Sequence, residues 1–457
     1  MAEVRSSRSL FRTVAAGFAH TMQTETLPNC QLETTSVSPR PSSRGSLLWI
    51  LGIALLTRSL TFLFYLKSHP WTWFYGHPGE MGLLADSLLH GLGYSSPFGT
   101  PTGPTAFIAP GYPTIVAAVF LVFGTFSHAS VVVLIAMNIG FTLFTIGLMM
   151  QIARKFFDER TAMLAGAFWA LSLPLFWMPE IFWESALSEC AVIGMIALAL
   201  HCRDAPTPGR WVLFGSLAAV VALINPALLP SLLAILGWLA WQTRRTSRAA
   251  PLLGLLALTL VFAPWPIRNA VRFHAFIPLR STVGFEMWMG NRPGANGRLD
   301  ESIFPSLNRH ELDSYLAQGE VAYTSGKNAL AWQYIRANPG VFARMTARRV
   351  WRFWAGTGNI DTTHACETHA LLTTVFGFAG LVLACRRRMR GFAVLMALPL
   401  LLFPIPYYIT HAEFRYRLNI DPLLTVLAAY AVTQIFAALS CRSSGPPASD
   451  TARSMQS

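Results

Sequence analysis

Apolar runs near the length of a membrane-spanning helix, about 20 residues, recur along this chain. They fall at 46–66, 130–152, 161–178, 186–202, 211–225, 227–242, 250–265, 368–384, 391–409 and 421–440. In lipid a backbone must satisfy its own hydrogen bonds, so runs of this kind become helices. The sequence predicts an all-α polytopic membrane bundle of about ten spans. Composition agrees: of 457 residues 53% are hydrophobic and 12% charged, against roughly a quarter charged in an average soluble domain.

The formal charge is +13. A positive balance of that size suits nucleic acid, but the basic residues form short clusters beside the apolar runs, and no nucleic-acid-reading motif accompanies them. Topology accounts for them. Arg154, Lys155 and Arg160, then Arg203 and Arg210, then Arg244, Arg245 and Arg248, then Arg386, Arg387, Arg388 and Arg390, and finally Arg442 all fall on one side if the amino terminus starts there. Short basic loops stay cytoplasmic, which puts both termini inside. Residues 1–45, rich in Ser, Thr, Arg and Pro, read as a disordered cytoplasmic tail, 46–440 as the membrane domain and 441–457 as a second tail. For the basic loops to share a side, the short run from Pro110 to Gly124 must lie in the interface or re-enter without crossing. Two large outer segments remain, about 67–129 and 266–367, with short outer turns at 179–185, Asn225-Pro226 and 410–420. The six cysteines show no CxxC spacing, so neither a disulfide framework nor a zinc site is implied.

The acids gather in those outer segments. Glu80 is followed at helical spacing by Leu83, Leu84, Ser87 and Leu88, which predicts a helix with a carboxylate at one end of an apolar stripe. At a water–lipid boundary such a group stays ionisable and meets a substrate carried by a lipid. Asp86 lies on another face and reads as a solvated charge. Glu180, Glu184 and Glu189 flank the second outer turn, and Glu413 lies in the last. Arg58 interrupts the first span; it either snorkels to an interface or faces a polar pocket and meets a phosphate. Apart from Arg58 the span middles carry almost no charge, which favours a site at the outer face over a conduit through the bilayer.

Three further stretches stand out. Ala263-Pro264-Trp265-Pro266-Ile267-Arg268-Asn269 reads as a proline-stopped helix end, and Gly284 to Gly297, which holds Trp288 and Asn291, as an aromatic, Gly-rich loop. Aromatic faces and amides suit sugar rings; aromatics equally form the belt at any membrane boundary. Between His411 and Pro422, Arg415 and Arg417 stand where the positive-inside tendency would not put them. Either they fork onto phosphate oxygens or they pair with Glu413 and Asp421. From 300 to 360 the spacing predicts amphipathic helices, with Arg344, Arg348, Arg349 and Arg352 beside Trp351 and Trp354 touching anionic lipid or a donor phosphate.

A family resemblance rests on these pieces in order: Glu80 with Ala85, Ser87, Leu88, Gly91, Gly93 and Tyr94; Gly103-Pro104-Thr105-Ala106 and Pro110-Gly111-Tyr112-Pro113; Pro264 to Asn269; Trp288, Gly290-Asn291 and Pro293; Arg415-Tyr416-Arg417 near Asp421-Pro422. Over about residues 46–440 the chain resembles the bacterial membrane glycosyltransferases of family 39, the protein-mannosyltransferase and lipid A aminoarabinose-transferase type with the GT-C fold. The resemblance implies transfer of a sugar from a polyprenyl-phosphate carrier to a lipid, glycan or protein acceptor, on the periplasmic face of a bacterial inner membrane. It implies Glu80 as general base or acceptor-positioning acid. Glu184 is the nearest match to a second acid, with Glu180 and Glu189 competing for that place. Arg58, Arg268, Asn269, Trp288, Asn291, Arg415 and Arg417 are then the expected substrate contacts. Gly79 stands where many relatives carry an acid beside Glu80, which leaves a divalent metal an open question that no ligand cluster in the sequence supports. A transporter or flippase for lipid-linked saccharides is the alternative function.

Overall fold

The computed structural model describes residues 43–76, 78–172, 180–246, 249–356 and 364–443. The chain divides into two units, 42–435 and a second formed by 1–41 with 436–457; of the second, 436–443 is described and is helical. The larger unit is helical throughout, and one isolated β-bridge, Ser95 to Pro104, is present among the described residues.

Among the described residues eight helices are long and apolar enough to cross a membrane: Arg44–Ser68, His128–Phe156, Ser185–Asp204, Pro226–Thr243, Ala250–Phe273, His364–Arg386, Arg390–Ile409 and Asp421–Ser440. The other two expected spans are shorter helices, Glu159–Leu171 and Pro208–Ile224. The expectation for 161–178 runs on into residues outside those described. Gly111–Phe123 is a helix of 13 residues, about 20 Å long at 1.5 Å per residue and too short to cross alone.

Two local expectations hold only in part. The Ala250–Phe262 helix does end one residue before Pro264, but helical structure does not end there: Pro264 and Pro266 open a new segment, Pro264–Phe273. A proline in a first turn gives up an N–H that has no partner there anyway. Likewise the Gly-rich stretch from 284 is not a loop at its start, because Val283–Asn291 is helical before the chain turns. The apolar residues between its glycines outweigh their helix cost once that face is buried.

Packing sorts the side chains by environment. Trp169, Trp211, Phe214, Leu239 and Leu427 belong to one large buried cluster among the spans, while Leu48, Trp49, Leu252 and Leu260 are exposed on neighbouring helices. Helices in lipid gain little from burying apolar surface against each other, so close backbone approach matters more. The Pro208–Ile224 and Ala250–Phe262 helices meet in this way: a side chain at Gly215 would collide with the Gly254 carbonyl. A second buried cluster, with Leu84, Tyr112, Phe120, Phe182, Phe285, Tyr315 and Tyr323, joins the two segments expected on the outer side.

A buried carboxylate ties those segments together. Glu320 accepts from the Thr105 hydroxyl, from the Ala106 N–H at 2.7 Å, from Ser281 Oγ at 2.7 Å and from the Tyr315 hydroxyl at 2.7 Å. The Ser281 N–H donates to the Ala106 carbonyl at 2.9 Å beside it. Gly215→Leu is expected to separate the Pro208–Ile224 and Ala250–Phe262 helices and to abolish a monodisperse detergent-solubilised peak in size-exclusion chromatography. A wild-type elution profile for that variant would mean the close approach contributes nothing.

Candidate functional site

Five short elements bring ionisable groups to one place at the span ends. Glu80 lies in the first turn of the Gly79–Leu89 helix, which forms where the sequence spacing predicts. That helix packs on the turn holding the second pair of acids, for Gly82 lies against Phe182, and the Tyr112 hydroxyl donates to the Ile181 carbonyl at 2.7 Å. Glu184 then sits at the N-cap of the Ser185–Asp204 helix. Glu286 is in the first turn of Val283–Asn291, and Arg415 follows the N-cap Glu413 of the short Phe414–Leu418 helix. Arg280 is held from behind, its Nε donating to the Phe107 carbonyl at 3.2 Å, next to the Glu320 clasp.

Arg415 is the centre of this pocket. Its guanidinium lies 3.9 Å from the centroid of the Trp183 ring, with Glu413 at 3.5 Å and Glu180 at 3.9 Å, and its side chain is 13% exposed. Across from it Arg280 Nη2 stands 3.8 Å from Glu286 Oε1. His411 links the two sides: its Nε2 is 2.7 Å from the Tyr416 hydroxyl and its Nδ1 is 3.2 Å from Glu286 Oε2. With the Tyr416 hydroxyl donating to Nε2, the ring proton falls on Nδ1 and faces the carboxylate. Tyr407 stacks on Tyr416 at 4.5 Å.

The carboxyls here do not behave alike. Burial pushes Glu80 upward, against the opposing pull of Arg280 and Arg415, and Glu286 adds to the rise. Burial raises Glu184 as well, again against Arg280 and Arg415, and Glu184 Oε2 is buried without a hydrogen-bond partner among the described residues. Glu180 is also raised, by burial first. For Glu286 burial acts upward too, but His411, Arg280 and Arg415 outweigh it and hold this carboxyl below its usual range. Burial opposes the charge on Arg415, and Tyr416, Glu413 and Glu180 more than restore it, so its pKa is raised. The pocket thus holds carboxyls biased towards the protonated form next to one kept ionised, a division of the sort acid–base chemistry uses.

The remaining expected site residues are spent inside the protein. Arg417 is fully buried and paired with Asp421 at 2.8 Å; its other N–H groups donate to the Trp354 and Ala370 carbonyls and to Thr373 and Thr374. Of the two readings open for Arg417, pairing is the one found. Arg58 neither snorkels nor opens onto the pocket described here, since it is buried and donates to the Ala170 carbonyl at 2.8 Å and the Trp169 carbonyl at 3.1 Å. Arg268 staples the first long segment, donating to the Thr105 carbonyl at 2.7 Å, to Tyr94 at 2.9 Å and to Asn269 Oδ1 at 2.9 Å. Asn269 in turn donates to Ile277, and Asn291 to Met287 and Ile409. Trp288 packs at the margin of the second apolar cluster. Glu189 is buried within a span, and Asp86 is partly exposed beside His90.

Sequence reasoning brought Glu80, Glu184, Glu180, Glu413 and Arg415 into view and missed Arg280, Glu286, His411, Tyr407 and Tyr416. Arg280 precedes and Glu286 lies within a stretch read as loop, where no periodicity marked them. His411 and Tyr416 stood beside Arg415 in the quoted motif and drew no role of their own. Among the described residues no three His, Cys, Asp or Glu side chains come close enough to hold a metal ion together.

No protein-family model matches the chain. No curated protein matches it either. Among solved structures it is similar to the oligosaccharyltransferase AglB from the archaeon Archaeoglobus fulgidus in complex with an inhibitory peptide and a dolichol-phosphate, with a TM-score of 0.53 and 14% identity over 88% of this chain and 51% of that one. The apo form of the Archaeoglobus fulgidus oligosaccharyltransferase gives 0.52 and 13% identity over 88% and 51%. ArnT from Cupriavidus metallidurans bound to undecaprenyl phosphate gives 0.35 and 14% identity over 87% and 79%. The chain spans about half the length of the oligosaccharyltransferase, with 51% of it covered. At this identity the likeness is one of fold, and that fold is the GT-C architecture implied by the sequence resemblance.

Proposed function

We propose that this chain is an integral-membrane glycosyltransferase that moves a sugar from a polyprenyl-phosphate carrier to an acceptor hydroxyl, with the pocket on the extracytoplasmic side where the basic-loop rule would put it. The observation that carries the reading is the gathering of Arg415, beside Glu413 and Glu180, and of Arg280, beside Glu286, at the span ends within electrostatic reach of Glu80. The fold supports it, since a protein of the same fold, AglB, has been seen with a dolichol-phosphate.

The chemistry follows from the groups present. The acceptor oxygen attacks the anomeric carbon, the bond from that carbon to the phosphate oxygen breaks, and the carrier phosphate leaves with the electron pair. Glu80 takes the acceptor's proton. Arg415 and Arg280 meet the charge growing on the phosphate, where guanidinium contacts are stronger than neutral ones and gain further in a dry pocket. Burial raises the pKa of Glu184 and so weakens its repulsion of a phosphate oxygen. Trp183, already flat against Arg415, fixes the guanidinium plane. Direct displacement makes the reaction inverting, because no covalent sugar–enzyme intermediate is formed.

Two outcomes are expected with purified protein, a polyprenyl-phosphate sugar and an acceptor, scored as release of carrier phosphate. Glu80→Gln lowers the rate by about 10²–10⁴-fold, the usual worth of a general base, with the melting temperature preserved; release near the wild-type rate contradicts the assignment. The second concerns pH. Burial raises the pKa of Glu80, so the base stays protonated above the ordinary glutamate value of about 4.3. The rate of the wild type therefore climbs with pH through a point higher than that value. An acid limb at or below the ordinary carboxylate range would show that Glu80 is not the base.

A further inference from the structure

The Pro339–Ala355 helix carries a feature the transfer site does not use. Arg348 and Arg352 project from it, and Arg352 reaches the loop at Asn296 and Gly297, next to Arg298, from some 50 positions away in sequence. Like charges separate unless something holds them, and here something does. Arg352 donates to the Asn296 carbonyl, and Gly297 sits under the helix at a φ of 80°, where an added Cβ would meet Met345 Sδ at 2.8 Å and Arg352 Nη1 at 3.3 Å. The Gly297 carbonyl accepts from the Ala412 N–H at 3.2 Å, which anchors the loop from the other side. None of the three arginines has an ion-pair partner among the described residues, and Arg298 Nε is buried without a hydrogen-bond partner. Burial first, then the charges of Arg298 and Arg348, bring the pKa of Arg352 down to about 10.

Three guanidiniums held together in this way suit an anion, and their surroundings say of what kind. Met345, which lies against Gly297, also lines a neighbouring open cleft together with Tyr334, Asn338, Val341 and Phe342. Val341 and Trp351 are exposed on the same helix, which ends at Ala355, shortly before the His364–Arg386 span. A basic helix with outward aromatic and aliphatic side chains beside a span lies in the headgroup layer. We propose that Arg298, Arg348 and Arg352 bind the phosphate of an anionic phospholipid, whose glycerol region and upper acyl chains occupy the cleft beside Met345. The lipid completes the charge balance of the loop from 296 to 298 and so braces the segment that meets Ala412, next to His411.

The test uses the full chain in nanodiscs of phosphatidylcholine with a minority of phosphatidylglycerol, and mass spectrometry of the lipid retained after delipidation. Wild-type protein is expected to retain phosphatidylglycerol above its share in the disc, and each arginine changed to Gln to lower that enrichment by about fivefold, the worth of one basic residue at an anionic surface. Arg298→Lys, Arg348→Lys and Arg352→Lys keep the charge and are expected to retain part of it, which separates loss of the site from loss of fold. Arg309→Gln, an exposed residue paired with Asp313, is expected to retain all of it. No enrichment in the wild type, or equal enrichment in R298Q/R348Q/R352Q, overturns the proposal. So does complete displacement by millimolar inorganic phosphate, which would mark a free-anion site, or by equimolar polyprenyl phosphate, which would mark a donor site.

Discussion

Ionised groups at the edge of a hydrocarbon-sized bundle must be compensated or they neutralise, and how each is compensated divides this protein into scaffold and site. Asp421 is matched on both sides, by Arg417 and by His369 at 3.1 Å. Glu320 is saturated by four donors. Such groups have no capacity left for a ligand. In the pocket the compensation is partial: Glu180, Glu286 and Glu413 share Arg280, Arg415 and His411 at ion-pair distances from 3.2 to 3.9 Å, and Glu80 and Glu184 feel the same two arginines without an ion pair of their own. Burial raises the pKa of Glu80, Glu180 and Glu184, and it is those shifted acids, together with guanidiniums that have unfilled donors, that can respond to a substrate.

Placement of the pocket depends on the saturated groups. Glu320 and Arg268 fasten the residues around 94–107 to those around 265–281, and that seam carries Arg280 into position against Glu286. Arg417 does the same for its own neighbour, since locking the Phe414–Leu418 helix to the His364–Arg386 span leaves Arg415 turned towards Trp183. Residues with charged side chains in a recognisable motif therefore need not touch substrate. Half of the arginines in that motif hold the other half in place.

The apolar runs made the bundle legible at once, because a spanning helix has a length requirement that composition alone can meet. Helix Gly79–Leu89 was legible from its spacing, and Glu80 and Arg415 from charge standing where a membrane protein usually avoids it. What failed was local. Pro264 and Pro266 looked like a stop because the sequence does not reveal that a new segment begins there, and Val283–Asn291 looked like loop because its glycines are weighed before its burial is known. Arg417 and Arg415, two residues apart, were indistinguishable until their directions were known: one points into the bundle at 0% exposure, the other into the pocket. Arg280 and His411 reach the site from long range, through contacts that no local spacing encodes.

A lipid-linked sugar substrate would bring its phosphate to the boundary between the apolar helices and this pocket, so the position of that phosphate is the decisive quantity. It can be measured by electron cryo-microscopy of the full chain in nanodiscs loaded with a polyprenyl phosphate. The phosphate is expected within about 4 Å of the guanidiniums of Arg415 and Arg280, the reach of an ion pair, with the Glu80 carboxyl facing the open side where a sugar would stand. A phosphate lodged away from both arginines, whether beside Arg298, Arg348 and Arg352 or on the opposite ends of the spans, would contradict a transfer site built around Glu80.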